Sequence, residues 1–384
     1  MRFLLVTQFF GGEQTPTGRM ACDVALELRD LGHDVAVLAS SGTYVGESPR
    51  PTAAELGVEV CRLRAWGRSR IVAWGSFWLQ AMLRVPASRW DRCVLLTDPP
   101  FLLMAAWLER RRRGKSRRLY WWTMDLYPEA LVAAGIVGES GHCASALRAL
   151  NEMGLAALDG VVALGPRQIA RLQTYRRWNS ETAFSIVGPP WDLRPLRRVA
   201  PEFNRVAERF GWRGRRVALY AGNLGEGHLF KEFADAARFF HDGGRFDWLF
   251  VFAIRGSGRA SLLDLTADLP NVQVMNYLPE ADTAELLWSA TVHLISMKPG
   301  WEGVIVPSKF YGPLQTASPI LFIGPSDADT AVELGRLGCG LALPPGATGG
   351  EVALELDNLA QSSWLREPLL DTSGPRRVAE FLLR

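Results

Sequence analysis

The stretch Gly303–Ser326 reads GVIVPSKFYGPLQTASPILFIGPS and has the composition of a ligand-binding βα unit. An apolar approach leads to the turn Pro307–Lys309, Phe310–Ala317 is predicted to form a short helix, and Pro319–Ile323 is predicted to form a buried strand. A helix that starts beside this turn would suit an anion, because unpaired backbone N–H groups, the positive end of the helix dipole and the lysine ammonium would converge there. An ordinary αβ unit with a surface lysine explains the same residues equally well.

The segment resembles the donor-site region of retaining GT-B glycosyltransferases of the family 4 type, in particular enzymes that build exopolysaccharide, O-antigen or colanic-acid units. Those enzymes carry a V-P-S-K-x-Y segment that helps to hold the nucleotide-diphosphate half of a sugar donor. The resemblance implies donor contacts for Ser308, Lys309 and Tyr311. The family often has two glutamates eight positions apart, and this chain has Val304 and Gly312 at the corresponding places.

Length and composition indicate a globular protein of two domains. The chain has 384 residues, of which 48% are hydrophobic and 22% are charged, and its net charge is only +3. Such a charge does not by itself indicate a nucleic-acid partner. The five cysteines are scattered without a C-x-x-C pair, which argues against a zinc site or a disulfide framework and fits a reducing cytoplasm. Met1–Phe10 reads as a first strand rather than a signal peptide, and no apolar run is long enough to span a bilayer.

The N-terminal segment predicts a βαβ unit. Phe3–Phe10 is a buried-strand run, a glycine loop and a periodic helix follow, and Val35–Ala39 is the next strand. The loop lacks G-x-G-x-x-G and no acidic residue ends the second strand, so a nicotinamide cofactor is not expected. This opening resembles that of family 4 glycosyltransferases, which implies that Gly11, Gly12 and Gly18 lie in an acceptor-side loop at the interdomain cleft. A tight turn that needs glycine accounts for them nearly as well.

Two carboxylates follow the strand Leu119–Thr123, in the sequence MDLYPE. Ligands of parallel α/β sheets bind beyond the carboxyl ends of the strands. The segment resembles a D-x-x-P-E segment of the family, which makes Asp125 the best candidate to orient or deprotonate an acceptor hydroxyl and Glu129 the second. Glu129 follows a proline, where a carboxylate in a first helical turn is stabilising without any catalytic role.

A basic cluster follows the apolar run Phe101–Leu108, and tryptophans lie upstream of it. An interfacial helix that contacts anionic lipid has this pattern, and so does a core helix whose cationic end is solvated. The residues predicted to contact an anionic surface are Arg110, Arg111, Arg112, Arg113 and Lys115. Nucleic acid is the weaker alternative because the run is short.

A second glycine loop occurs after the strand Arg216–Tyr220, in the sequence AGNLG. Glycine between a strand and a helix lets backbone N–H groups approach phosphate closely. The loop is similar to the first loop of the family's donor domain, which implies diphosphate contacts for Gly222, Asn223 and Gly225. Lys231, in the following helix, resembles a basic family position that is directed toward phosphate.

No metal is expected. Asp327-Ala328-Asp329 matches the D-x-D pattern of a different glycosyltransferase fold. Ser326 as an N-cap, with acids in the first helical turn, explains these residues without a metal.

The predicted fold class is α/β, with two doubly wound Rossmann-like domains that face each other across a cleft, as the GT-B resemblance implies. Residues 1–190 form the predicted acceptor-side domain and residues 191–373 the donor domain. The C-terminal helix, residues 374–384, is expected to pack back on the first domain.

The predicted function is a metal-independent retaining glycosyltransferase without a cofactor. It would move a sugar from a nucleotide-diphosphate donor to a glycan or lipid-linked acceptor, in the cytoplasm or on the inner face of the membrane. Two alternatives remain open: a catalytically silent nucleotide-sugar-binding scaffold, suggested by the absent glutamates, and a nucleotide-sugar epimerase on the same fold.

Overall fold

A computed structural model of the protein describes residues 1–11, 15–41, 53–64, 66, 69–178, 184–194, 196–364 and 367–384. The chain divides into two compact units. The first contains Met1–Trp191, Gly303–Val306 and Thr372–Arg384, and the second contains Asp192–Glu302 and Pro307–Asp371. The short segment Gly303–Val306 therefore packs with the first unit, although it lies inside the range predicted for the donor domain.

The first unit is built on a seven-stranded sheet with the order β3-β2-β1-β4-β5-β6-β7, in which all described pairings are parallel. Its strands are β1 (Arg2–Val6), β2 (Asp34–Ser40), β3 (Glu59–Leu63), β4 (Arg92–Leu96), β5 (Arg118–Trp122), β6 (Gly160–Ala163) and β7 (Phe184–Val187). The central strands are short apolar runs with both faces buried, as is typical of parallel sheets covered by helices.

Helices connect these strands. They are α1 (Pro16–Asp30), α2 (Ala53–Leu56), α3 (Arg70–Ala87), α4 (Met104–Arg113), α5 (Glu129–Ala133), α6 (His142–Leu155) and α7 (Pro166–Gln173). Local sequence determines where α1 begins. The side chain of Thr15 caps the helix by accepting a hydrogen bond from Gly18 N at 3.2 Å, and Pro16 occupies the first helical position.

The second unit has a six-stranded sheet with the order β10-β9-β8-β11-β12-β13. Its strands are β8 (Arg216–Asn223), β9 (Trp248–Arg255), β10 (Val272–Met275), β11 (Val292–Ser296), β12 (Ile320–Ile323) and β13 (Gly340–Leu343). The helices are α8 (Arg205–Arg209), α9 (Lys231–Asp242), α10 (Arg259–Leu265), α11 (Thr283–Trp288), α12 (Asp329–Leu337) and α13 (Gly349–Leu359). Strand β9 is buried on both faces up to Ile254, because one apolar core lies on each side of the sheet.

The last helix, α14 (Gly374–Leu382), packs against the first unit. Arg376 forms an ion pair with Glu27 of α1 at 3.1 Å. The ring of Phe381 lies 5.9 Å from that of Tyr120, edge to face, and Arg92 donates a hydrogen bond to the carbonyl of Leu382. This helix thus completes the core of the first unit from the far end of the chain.

The order of strands reverses once in each sheet. In the first unit the chain leaves β1 in one direction to β2 and later returns to the other side of β1 with β4. In the second unit β8 is flanked by β9 on one side and β11 on the other. Such a switch point leaves a crevice beyond the carboxyl ends of the two strands, where ligands of open α/β sheets bind.

The close pairing of strand β13 with β12 requires a glycine at position 340. Gly340 pairs with Ile320, and a Cβ added to Gly340 would lie 1.8 Å from the carbonyl oxygen of Ile320. Gly338 provides a matched control, because its φ is +59° and nothing lies within 4 Å of its hypothetical Cβ. We expect Gly338→Ala to lower the free energy of unfolding by about 1 kcal/mol, and Gly340→Ala to lower it by more than about 3 kcal/mol. Urea unfolding of both variants measures the difference, and equal losses would contradict the close contact.

Candidate functional site

The switch point of the second unit brings together one glycine loop and one lysine. Strand β8 ends at Gly222 and Asn223, and its neighbour β11 ends at the buried Ser296. Gly222 has φ +149°, and a Cβ at this position would lie 3.3 Å from Cε of Lys309. The lysine stem therefore lies directly on the loop, and the missing side chain of Gly222 makes this approach possible.

The ammonium group of Lys309 is held by three neutral groups. Its Nζ donates to the hydroxyl of Tyr220 at 2.6 Å and to the carbonyl of Asn223 at 2.8 Å. The third partner is Nε2 of His228, at 3.3 Å. The same Nζ lies 4.4 Å from the centre of the Tyr220 ring. Because an ammonium group has three N–H donors, these acceptors use all of them.

The partners of His228 fix its tautomer. Nδ1 lies 2.8 Å from the carbonyl oxygen of Ser296, which can only accept a hydrogen bond. Nδ1 therefore carries the proton, and the lone pair of Nε2 accepts from Lys309. Burial, together with the adjacent lysine charge, lowers the pKa of His228 to about 3, so the ring stays neutral in this position.

None of these three partners of Lys309 carries a negative charge. Burial lowers the pKa of the Lys309 ammonium well below its usual range. An anion at this point would relieve that penalty, because an opposite charge within a few ångströms favours the charged form of a lysine. The arrangement is thus chemically suited to an anion at the end of β8, and not to a preformed ion pair.

The predicted helix Phe310–Ala317 is wrong. The structure has two 3-10 turns, Ser308–Phe310 and Pro313–Gln315. Pro313 has no N–H group to donate, so a continuous α-helix cannot be hydrogen-bonded through this point. A 3-10 turn of three residues has no extended dipole, and the positive charge near the end of β8 therefore comes from Lys309 rather than from a helix N-terminus.

The two predicted carboxylates, Asp125 and Glu129, follow strand β5 of the first unit, and their surroundings differ. The side chain of Asp125 is exposed to solvent. Partial loss of hydration among the surrounding protein atoms still raises the pKa of its carboxyl to about 6. Glu129 is only 3% exposed and accepts a hydrogen bond from Arg148 at 3.1 Å. Glu129 therefore forms a buried ion pair that joins α5 to α6, and its role toward an acceptor stays a prediction.

The predicted acceptor-side glycines are brought together in part. Gly11 has φ +64°, and its N–H donates to the carbonyl of Gly18 at 3.4 Å. A Cβ at Gly18 would lie 2.8 Å from Oγ1 of Thr15, so the N-terminal cap of α1 requires a glycine here. Gly12 lies outside the described residues. The contacts of Gly11 and Gly18 are accounted for by the turn itself.

Comparisons with known proteins agree with this architecture. No family model matches the chain. A curated relative, named probable glycosyltransferase WbjE of Pseudomonas aeruginosa, is 23% identical over an alignment of 364 residues that covers 90% of this chain and 86% of that protein. The crystal structure of WaaG, described as a glycosyltransferase involved in lipopolysaccharide biosynthesis, superposes with a TM-score of 0.72 at 15% identity and covers 100% of this chain and 99% of its own.

The fold is GT-B. A UDP-GlcNAc 2-epimerase from Neisseria meningitidis, solved with UDP-GlcNAc bound, also superposes, with a TM-score of 0.60 at 12% identity over 100% of both chains. The predicted α/β fold class and the resemblance to GT-B glycosyltransferases are confirmed, and the curated relative agrees with the predicted enzyme class. The narrower family 4 assignment stays a prediction.

The GT-B frame separates the predicted donor residues into two groups. Gly222, Asn223 and Lys309 meet at the end of β8, and Gly225 follows in the same loop, where its Cβ would lie 3.0 Å from Nδ2 of Asn223. Lys231 does not join them, because its ammonium pairs with Asp235 one turn further along α9, at 2.5 Å.

Ser308 and Tyr311 belong to the first 3-10 turn and its end. The N–H of Tyr311 donates to the carbonyl of Ser308 at 3.2 Å, and the Tyr311 ring lies 5.2 Å from that of Phe310, edge to face. These contacts shape the turn that presents Lys309. Direct donor contacts of Ser308 and Tyr311 stay predictions.

The basic segment of α4 is also divided by the structure. The guanidinium of Arg110 pairs with Asp159 at 2.6 Å and donates to the carbonyl of Ala157, and its contact with an anionic surface stays a prediction. Arg111, Arg112, Arg113 and Lys115 are exposed. No helix in the described part of the chain is long and apolar enough to cross a membrane.

Two residues at the candidate site, Tyr220 and His228, were not among the predicted site residues. Tyr220 is completely buried in strand β8. The one signal in the sequence is a phenol hydroxyl near the end of an otherwise apolar strand. His228 reads as a loop residue, since its partner Ser296 is 68 positions away. Among the described residues, no three His, Cys, Asp or Glu side chains converge to hold a metal ion.

The buried neutral imidazole generates a pH prediction. The pKa of His228 is lowered to about 3 in the folded chain, so its contribution to stability is present above pH 6.5 and is lost as the pH falls. Between pH 7.5 and 5.5 the free energy of unfolding should decrease by about 1.4 kcal/mol from this group alone. Urea unfolding of the wild type and His228→Gln at both pH values measures the difference, and an identical pH dependence of the two proteins would refute it.

Proposed function

We propose that the protein is a glycosyltransferase that moves a sugar from a nucleotide-diphosphate sugar to an acceptor hydroxyl. The single observation that carries this proposal is the placement of Lys309, surrounded by neutral partners, on the glycine loop at the switch point of the second unit. The GT-B fold and the named relative support it. The nucleotide-sugar complex of the epimerase neighbour supports the same class of donor.

The proposed chemistry requires charge stabilisation more than a covalent partner. As the bond between the sugar and the diphosphate breaks, negative charge develops on the leaving oxygen, and a fixed ammonium group favours that state. Lys309 is assigned this role, beside the glycine loop Gly222–Gly225. We propose that no metal and no cofactor is needed. Retention of anomeric configuration is carried over from the resemblance to family 4.

We further propose a lipid-linked acceptor, reached at an anionic membrane surface. Helix α3 exposes Val72, Leu79 and Leu83 at 52%, 47% and 61%, and their spacing of seven and four residues places them on one face of the helix. Helix α4 packs against α3 and ends in the exposed arginines 111–113. Apolar side chains beside arginines, with no acidic residue on α3, form the kind of surface that anionic lipid attracts.

Two other functions are separated by their products. An epimerase would convert the nucleotide sugar without any acceptor, and the likeness to the UDP-GlcNAc 2-epimerase motivates that test. A silent scaffold would bind the nucleotide and leave the sugar unchanged, in line with Val304 and Gly312 at the places of the usual glutamates. Product analysis by NMR distinguishes transfer, epimerisation and no reaction, and the anomeric coupling constant of a transferred sugar reports retention or inversion.

Nucleotide binding tests the donor site. We expect one of UDP, GDP, dTDP, ADP and CDP to raise the unfolding temperature selectively, because a ligand that binds only the folded chain stabilises it. Lys309→Met keeps the length of the side chain and removes its charge, so affinity should fall by roughly 10- to 100-fold, because the electrostatic attraction between the ammonium and the diphosphate is lost.

Lys231→Met is the matched control for this experiment. Lys231 is bound to Asp235, so its replacement should leave nucleotide affinity unchanged. Equal affinity of Lys309→Met and the wild type, or a large loss in Lys231→Met, would overturn the assignment of the site. Absence of any shift in the wild type at millimolar nucleotide would overturn the donor proposal itself.

Vesicle binding tests the membrane surface. Replacing Arg111, Arg112 and Arg113 by Gln should weaken binding to phosphatidylglycerol vesicles by up to roughly 100-fold, since each basic residue near an anionic surface contributes about 1 kcal/mol. The control variant replaces Arg205, Arg238 and Arg336 of the second unit by Gln, which changes the net charge equally. Co-sedimentation should separate the two variants at low salt. A wild type that ignores anionic vesicles, or a control that loses binding equally, would contradict this surface.

A further inference from the structure

The three contacts of the Lys309 ammonium group are of unequal strength. Those with the Tyr220 hydroxyl and the Asn223 carbonyl, at 2.6 and 2.8 Å, have ordinary hydrogen-bond lengths. The contact with Nε2 of His228 is 3.3 Å long, beyond the usual range of about 2.7–3.2 Å, and is therefore the weakest. Since these contacts occupy all three N–H donors, an anion that accepts a hydrogen bond from the ammonium must displace one acceptor, and the imidazole is the one that yields.

The imidazole of His228 is held in place from its other side. Its Nδ1 donates to the carbonyl of Ser296 at 2.8 Å, and the N–H of the next residue, Leu229, donates to the Ser296 hydroxyl at 3.1 Å. When the ammonium group turns toward an anion, these bonds keep the ring where it is. Nε2 therefore continues to face the point at which the anion binds.

A bound anion changes what Nε2 must do. In the free protein this nitrogen presents a lone pair, and two acceptors that face each other repel. A proton from solvent removes the conflict, because an imidazolium has an N–H on both nitrogens: one keeps the bond to Ser296 and the other donates to the anion. The diphosphate of a nucleotide sugar carries a negative charge on each phosphate, so the ammonium of Lys309 and a protonated His228 would together balance it.

The ionisable groups near His228 leave it without this proton in the free protein. Burial lowers the pKa of the imidazole to about 3, and the positive charges of Lys309 and Lys298 act in the same direction. Tyr220 stays neutral because burial raises the pKa of its phenol, and Glu226, in the same loop as the imidazole, accepts a hydrogen bond from a serine hydroxyl. A diphosphate beside the ring would raise the pKa of the imidazole, since an opposite charge within a few ångströms favours the charged form.

We propose that His228 is a second diphosphate ligand of the donor site: the incoming diphosphate displaces the imidazole from Lys309, and the imidazole takes a proton from solvent onto Nε2 and donates a hydrogen bond to the same diphosphate. This rests on the proposed transferase function. The N–H bond at Nε2 is the only bond that forms, and the proton returns to solvent when the nucleotide leaves. Donor affinity should therefore rise by up to about tenfold for each pH unit below the pKa of the bound imidazole, and be level above it.

The pH dependence of affinity tests the inference in the full chain. The probe is the nucleotide sugar whose base the thermal-shift series selects, because its phosphates do not titrate between pH 5 and 8.5. His228→Gln can still accept from Lys309, and His228→Asn can still donate to the Ser296 carbonyl, but neither amide takes up a proton. In isothermal titration calorimetry, wild-type affinity at pH 5 should exceed that of both variants by roughly fivefold or more, and at pH 8.5 all three should agree within roughly threefold.

Histidine NMR reads the proton directly. The chain has five histidines, and the signal missing from His228→Gln is that of His228. At pH 5 this ring should be neutral in the free wild type, with its proton on Nδ1, and saturation with the nucleotide sugar should protonate both nitrogens. His142→Gln is the matched control, because His142 is exposed in the first unit and its replacement should change neither affinity nor the pH profile.

The outcomes separate the inference from the function on which it rests. A His228 ring that stays neutral at pH 5 in the saturated wild type overturns the inference and leaves the donor site standing. Variants that lose affinity equally at pH 5 and 8.5 also overturn it, because a merely structural imidazole predicts that result. Absence of binding by any nucleotide sugar overturns the donor site and the inference together. Binding that protonates His228, without transfer or hydrolysis in the product analysis, supports the inference and rejects the transferase.

Discussion

Parallel pairing is the constraint on which the candidate sites of this protein depend. Each parallel strand needs a crossover before its neighbour can pair, so all strands of a sheet end at one edge. Polar residues that follow separate strands are thereby collected, although they are far apart in sequence. Lys309 meets Tyr220 and Asn223 across 89 and 86 positions, and Thr7 meets Asp98 across 91. The apolar strands contribute no reactive group themselves, but they hold the backbone that positions these polar side chains.

The surroundings of Lys309 differ from those of a surface lysine in one respect that matters for function. Exposed Lys231 has a carboxylate partner, whereas Lys309 is held by a phenol, a carbonyl and an imidazole. A carboxylate partner would neutralise the charge and compete with an incoming anion. Neutral acceptors hold the ammonium in place and leave its charge uncompensated. This arrangement positions the ammonium for an incoming anion, although a carboxylate partner would stabilise the fold more; such a cost is common at binding sites.

The local pattern of the sequence predicts most of the strands, because buried parallel strands are short apolar runs bounded by glycine or proline. The local pattern does not show which side chains pair with residues that are distant in sequence. Glu129 and Arg110 have the residue types of functional groups, and only the fold shows that Arg148 and Asp159 engage them. The segment Thr97–Pro100 has no helical or strand period, so the sequence alone does not show what Asp98 contacts. Only the fold brings its carboxylate to Thr7, which follows β1. The helix expected at Phe310–Ala317 failed on a local rule, the missing N–H of Pro313.

The two positions that usually carry glutamate in the family show how packing alters a site. Val304 is completely buried in the first unit, and its carbonyl accepts from the N–H of Leu126 at 3.0 Å. A glutamate side chain there would bury a charge.

Gly312, in the second unit, presents the opposite situation, because a carboxylate is already present. A Cβ at Gly312 would lie 3.8 Å from Oδ2 of Asp192, whose other oxygen accepts from Arg194 at 2.7 Å. A side chain at this position would therefore start in van der Waals contact with a carboxylate that Arg194 already neutralises. The packing around Val304 thus disfavours a glutamate, whereas the space beside Gly312 admits a side chain, because the nearest atoms would lie 3.4 and 3.8 Å from its Cβ.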